Sequence, residues 1–265
     1  MREIGESGCG VVEYHTDMIS LHERPVAIGG IGGSGTRVVA QLLMALGYFM
    51  GDKLNLYNDN LAFTRKFKCL DALESADEEF RQLVSNFVEE METGCCNAGA
   101  KRWGWKEPNT HVLIDRFVRL LPGLLYIHVI RNGFDMAYSR NQNQARLWGP
   151  YFLEGKSVNV VSPGYALKFW CAVHRRIFRI ANSPEVHGRF FFLNFDDLCQ
   201  SPSSVLRSLC SFLDVSITEK DMDRLTQFIM PPSSFGRWRA GGLDVFDRED
   251  VDYVTSIGFK PRHDP

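Results

Sequence analysis

The residues of this chain that could do chemistry are mostly residues that grip anions. Gly29, Gly30, Gly32, Gly33 and Gly35 crowd around Ser34 and are followed at once by Thr36 and Arg37. Such a run leaves several backbone N–H groups aimed at one spot, at the positive end of any helix that follows, which makes a cradle for phosphate or sulfate. Glycine is required where φ must be positive or where the backbone must approach the anion closely. Lys106 and Glu107 stand together before Pro108. Arg131 is followed eight positions later by Ser139, a cation and a hydroxyl suited to a second anion. Asp59, in an Asn/Asp-rich stretch with Asp52, offers a carboxylate as proton acceptor. Arg237 and Trp238 sit in a basic, glycine-flanked segment. Without a ligand, the glycine run would be no more than a tight strand-to-helix turn.

The elements needed to position these residues can be read around them. Pro25 to Ile28 is a short apolar strand, and a helix begins at Thr36 with Val38, Val39, Leu42, Leu43 and Leu46 on one face and Gly47 as its stop. Trp103 and Trp105 alternate as in a strand, so Lys106 and Glu107 fall at its end, where open α/β sheets place ligands. Asn109 or Thr110 can cap the next helix. Leu124 to Ile130 is unbroken and apolar, as in a buried parallel sheet, with Arg131 at its end and a following helix presenting Ser139. Arg189 to Phe195 is another buried strand. Further helices are expected at 164–180, with Lys168, Arg175, Arg176 and Arg179 on a solvated face, after a cap at Ser201, and at about 218–229. The class is α/β, a P-loop-type three-layer fold with a central parallel sheet flanked by helices.

The rest of the chain, 1–265, fits one domain around that sheet. Residues 1–23 read as an arm in which His15 and His22 are surface residues. Residues 52–60 read either as a set of turns or as a substrate lip. Residues 61–93 are helical, 94–100 a loop, and 52–100 together an insertion that covers the site. Residues 140–164 are a helix end and a loop, a second candidate for acceptor recognition, and 231–242 is a closing loop. The last residues return to mixed polar character. A net charge of −2 gives no sign of a nucleic-acid protein. Seven scattered cysteines without zinc-ligand spacing point to reduced thiols, and no run is long enough to span a membrane. Cytoplasmic placement, no metal and no membrane span are the expectations.

Taken together, the motifs resemble the sulfotransferases that use 3′-phosphoadenosine 5′-phosphosulfate (PAPS), nearest to the branch with tyrosylprotein and bacterial enzymes. Gly33-Ser34-Gly35-Thr36-Arg37 stands where that family grips the 5′-phosphosulfate. Arg131 and Ser139 match its 3′-phosphate pair, Trp105-Lys-Glu-Pro108 its lysine element, Phe195-Asp-Asp-Leu its Tyr-Glu-Asp-Leu stretch, and Ser234-Phe-Gly-Arg-Trp238 its C-terminal loop. The resemblance runs from about Val26 to Arg239. It implies PAPS as co-substrate, 3′,5′-adenosine bisphosphate as product, and a small-molecule, carbohydrate or peptide acceptor. The expected nucleotide site is Gly32, Gly33, Ser34, Gly35, Thr36, Arg37, Arg131, Ser139, Arg237 and Trp238, the last beside the adenine. The expected catalytic set is Lys106, Arg37, Asp59 and Glu107, with Asp59 the first choice of base and Glu107 the second. Two features depart from the pattern: the lysine that cytosolic members carry before Ser-Gly-Thr is Gly33, so that Arg37 or Lys106 must supply the charge, and the tyrosine is Phe195.

Two other readings are set against this one. Gly30-x-x-x-x-Gly35 matches the start of a Walker loop, but Thr36-Arg37 replaces the Lys-Ser/Thr pair of a P-loop kinase, and Arg131 stands where a kinase would offer an Asp to hold magnesium. A catalytically inactive nucleotide-binding module is the other alternative, kept open by Gly33 and by the unassigned base.

Overall fold

The computed structural model describes residues 24–155 and 158–259; the arm expected at 1–23 lies outside the described residues. β1 (Val26–Gly30) leads through the glycine turn into α1 (Thr36–Ala45), then β2 (Tyr48–Phe49). Three helices follow, α2 (Leu61–Phe67), α3 (Leu70–Glu74) and α4 (Asp77–Asn97), before β3 (Arg102–Lys106). α5 (Thr110–Leu120), β4 (Leu125–Ile130), α6 (Gly133–Ala137), α7 (Asn143–Phe152) and α8 (Pro163–Ala181) come next. β5 (Phe190–Asn194), α9 (Phe195–Gln200), α10 (Pro202–Phe212), α11 (Glu219–Thr226), α12 (Trp238–Gly241) and α13 (Arg248–Ser256) complete the order.

The five strands form one parallel sheet in the order β2-β3-β1-β4-β5. Alternation along the central strands feeds two cores. Val26, Ile28, Leu125, Ile127 and Val129 face α1, α10 and α11, while Ala27, Trp105, Tyr126 and Ile130 face α2, α4, α5 and α8. This is the three-layer arrangement expected, because strands covered on both faces must be apolar on both. Since β1 is central, its C-terminal turn lies between the ends of β3 and β4. Lys106 and Arg131 therefore arrive on either side of the glycine loop.

The helical insertion is fastened to the sheet by aromatic packing. Phe63 stacks on Trp105 with centroids 6.0 Å apart, and Phe67 meets Phe117 edge-on at 5.0 Å. Arg116, buried on α5, donates to the carbonyls of Ala72, Leu73 and Ala76 and pairs with Asp77, which pins the α3–α4 junction.

Several local expectations are corrected. The loop expected at 94–100 is helical through Asn97, where Gly94 is needed because Phe49 packs against its backbone: a Cβ there would lie 2.6 Å from the ring. Much of 140–164 is α7, which continues through Pro150. The mixed C-terminal stretch contains α13. Ser139 lies just past α6 rather than on it. Asn109 is at the head of α5, but its side chain serves Glu107 and Trp148 instead of capping, and Ser201 makes no side-chain cap. The basic side of α8 is at the surface as expected, and three of its cations are paired there: Lys168 with Asp247, Arg175 with Glu249, Arg176 with Asp115.

Candidate active site

The glycine loop takes its shape from backbone demands that only glycine meets. Gly33 and Gly35 have φ of +98° and +103°, and a Cβ on Gly35 would sit 2.2 Å from Phe195 Cδ2. The loop delivers α1 without a side-chain cap and without an acidic residue in its first turn. An uncapped helix start presents orphan N–H groups and a positive dipole end. Ser34 is buried, and its Oγ has no hydrogen-bond partner.

An open cleft of about 780 Å³ lies over this loop. Its walls include Gly32, Gly33, Gly35, Thr36, Arg37, Asp59, Lys106 and Arg131, so eight of the residues expected from sequence converge there. Tyr57, Arg140, Asn141, Asn143, Phe195, Met230 and Pro232 complete much of the rim.

Lys106 is 2% exposed at the end of β3. Its ammonium donates to Asp59 Oδ1 at 2.5 Å and to the Tyr57 carbonyl at 2.8 Å. Burial lowers its pKa; Asp59 opposes that shift, and Arg37 adds to it. Asp59 is held in turn by Asn55, whose Nδ2 donates to Asp59 Oδ2 at 2.8 Å and whose Oδ1 accepts from the Tyr57 and Asp59 amides. The Asn60 amide donates to the Lys106 carbonyl, and the Asn60 side chain caps α2 through Phe63 N. The 52–60 stretch is thus a set of Asn-built turns that also delivers Asp59 to the cleft.

Glu107 faces elsewhere. It is 1% exposed, accepts from Asn109 N and Nδ2, and pairs with Lys68 at 3.5 Å. Burial raises its pKa against the pull of Lys68 and Asn109, and it is not part of the cleft wall.

On the other side, Arg131 is 4% exposed. It donates to the Gly33 carbonyl at 3.3 Å and to Ser234 Oγ at 2.9 Å, and its Nε is buried without a partner. Arg237 Nε donates to the Ser234 carbonyl. Burial, then the Arg237 charge, pushes the Arg131 pKa down. A buried guanidinium with a second guanidinium beside it leaves excess positive charge that an anion would offset. Ser139 Oγ accepts from Asn141 N and stands close to Gly33. The 231–242 segment is anchored by Asp135, which accepts from Gly236 N at 2.9 Å and Trp238 N at 3.3 Å. Trp238 itself is buried against Phe134, outside the cleft.

Sequence reasoning left Asp135, Ser234 and Gln144 without roles. Asp135 lies four positions after Arg131, which was a readable signal. Gln144 carried none: its contacts are with Gly30, Gly32 and His111, all remote in sequence.

Comparisons with known proteins agree with this architecture. Among solved structures, the sulfotransferase domain of the curacin biosynthetic pathway superposes with TM-score 0.56 at 15% identity, covering 89% of this chain and 98% of that one. The sulfotransferase domain of the Synechococcus PCC 7002 olefin synthase gives 0.53 at 18% identity, over 92% and 98%. Sulfotransferase STF9 from Mycobacterium avium gives 0.55 at 14% identity, over 88% and 79%. At these identities the likeness speaks for the fold. No curated protein sequence matches the chain. A sequence model described as sulfotransferase family matches residues 25–219, from the first strand through the cleft to the start of α11. By that match, which spans most of its length, this chain belongs to the sulfotransferase family.

Proposed function

We propose that the protein moves a sulfuryl group from PAPS to a hydroxyl or amine of an acceptor. The observation that carries this is a cationic cleft, walled by Arg37, Lys106 and Arg131, over an uncapped helix start, with two orphaned buried polar atoms, Ser34 Oγ in the loop beneath it and Arg131 Nε at its side. Buried polar groups in native proteins are nearly always bonded, and PAPS carries acceptor oxygens for both, on its 5′-phosphosulfate for Ser34 and on its 3′-phosphate for Arg131.

The bound co-substrate supplies an activated sulfuryl group on a phosphate leaving group. In this reading the 33–37 loop amides and the Ser34 hydroxyl bind the 5′ end, and Arg131, Ser139 and Arg237 bind the 3′-phosphate. Asp59 takes the proton from the attacking oxygen or nitrogen as the new bond to sulfur forms. Lys106 and Arg37 offset the charge that appears on the bridging oxygen as its bond to sulfur breaks. Removing one such donor costs roughly 2.7–4 kcal/mol of barrier. Glu107 holds the β3–α5 turn through Asn109 rather than moving a proton. The 52–100 insertion and the Tyr57–Met230 rim are the acceptor side.

The test is a calorimetric titration with 3′,5′-adenosine bisphosphate beside magnesium-ATP, repeated with Arg131→Ala. Loss of a charge-assisted contact of about 1.5–3 kcal/mol predicts an affinity roughly 10- to 100-fold weaker for the bisphosphate. Preference for magnesium-ATP, or indifference to Arg131→Ala, overturns the PAPS reading.

A further inference from the structure

Gln144 is the second residue of α7 and is 8% exposed. Its side-chain amide lies along the glycine loop. Oε1 accepts from Gly32 N at 3.2 Å, and Nε2 donates to the Gly30 carbonyl at 3.3 Å. Gly30 is held on its other side as well, where its own N–H donates to the Pro108 carbonyl at 3.0 Å. Gly30 has φ of +151°, and a Cβ there would meet the Val129 carbonyl at 2.5 Å. At Gly30 the turn out of β1 has no room for a side chain, and it is held from the Lys106 side by the Pro108 carbonyl and from the α7 side by Gln144. His111 Nε2 lies 3.3 Å from Gln144 Oε1. As an amide oxygen can only accept, His111 must donate from Nε2, which leaves Nδ1 as the bare nitrogen; Nδ1 is indeed buried without a partner. The histidine thereby fixes which end of the amide faces Gly32.

We propose that Gln144 is a positioning residue of the anion loop, which turns the Gly32 amide away from the cleft and so sets the path that presents the 33–37 amides. The role rests on the reading of this loop as the anion site. Asn143, next to Gln144 on α7, lines the cleft, so the same turn of helix borders the cleft and holds the loop beneath it.

Hydrogen exchange on the unliganded protein and titration with 3′,5′-adenosine bisphosphate test this together. Gln144→Met keeps the length of the side chain and removes both bonds. Exchange in 29–37 is expected to quicken about tenfold or more, and bisphosphate affinity to fall about tenfold for two lost hydrogen bonds. Ile177→Val, a trim in the α8 core far from the loop, serves as the stability control: it lowers the melting temperature and leaves both readouts unchanged. Gln144→Glu adds a rescue that a merely structural role does not produce. Its ionised carboxylate opposes the Gly30 carbonyl at pH 8, whereas at pH 5 protonation restores a donor, so affinity recovers toward the wild type. Unchanged exchange in Gln144→Met, or a Gln144→Glu affinity whose ratio to the wild type is the same at pH 8 and pH 5, overturns the proposal; the ratio is needed because the phosphates of the probe titrate at about pH 6. Failure of the wild type to bind the bisphosphate overturns the PAPS reading instead, and the exchange arm still decides the role of Gln144.

Discussion

Three histidines are buried between the sheet and α8, and they should make this protein acid-sensitive. His111, His128 and His174 are each fully enclosed or nearly so. Burial pushes His111 down to about 3, with Arg176 adding to the shift, and His174 down to about 4. Burial and the other two histidines hold His128 well below its ordinary value. The unfolded chain binds protons on these rings from about pH 6.5 downward, and the folded chain does not. Stability contributed by a depressed histidine is therefore complete above about pH 6.5 and is lost as pH falls toward its folded value. For His174 the linkage integral between pH 7 and 5 is about 2 kcal/mol. Glu107, Asp196 and Asp250, raised by burial, have the opposite sign at lower pH. The clean measurement is a difference: urea unfolding of wild type and His174→Asn at several pH values. The stability gap between them should shift by about 2 kcal/mol in favour of the variant from pH 7 to 5. A gap constant within about 0.5 kcal/mol, or an NMR titration showing His174 protonating above pH 5.5, refutes the reasoning.

Two further outcomes follow from the cleft. Gly35→Ala forces a left-handed residue to carry a Cβ only 2.2 Å from Phe195, and should cost about 2–4 kcal/mol in urea unfolding; a loss below about 0.5 kcal/mol contradicts the loop geometry. If Asp59 is the base, as proposed, Asp59→Asn lowers kcat by about 10²–10⁴-fold with an acceptor in hand, while bisphosphate affinity stays within about threefold; a change confined to nucleotide affinity removes Asp59 as base.

Much of the frame was legible in the chain. The glycines with Thr36 and Arg37, the apolar run ending at Arg131, and the Trp105-Lys106 strand end each state a local rule: periodicity, chain reversal, charge at a strand terminus. Those rules act over a few residues, so they yielded the parallel α/β class, the order of most elements and the residues of the cleft wall. Helix ends and the mid-chain α7 were less readable, because Pro150 and Gly94 contradict local propensity and are overridden by packing against α8 and Phe49.

What the sequence alone determined was therefore which residues could hold an anion, since glycine, cation and hydroxyl at the right spacing are chemical facts of the chain. Only the tertiary structure decided which way each side chain turns. It sent Glu107 to Asn109 and Lys68 and Asp59 to Lys106, and it buried Trp238 against Phe134. It brought Gln144 onto a loop more than a hundred positions away. Such pairings depend on the order β2-β3-β1-β4-β5 and on the burial that comes with it. They arise from long-range closure, to which no local pattern of residues refers.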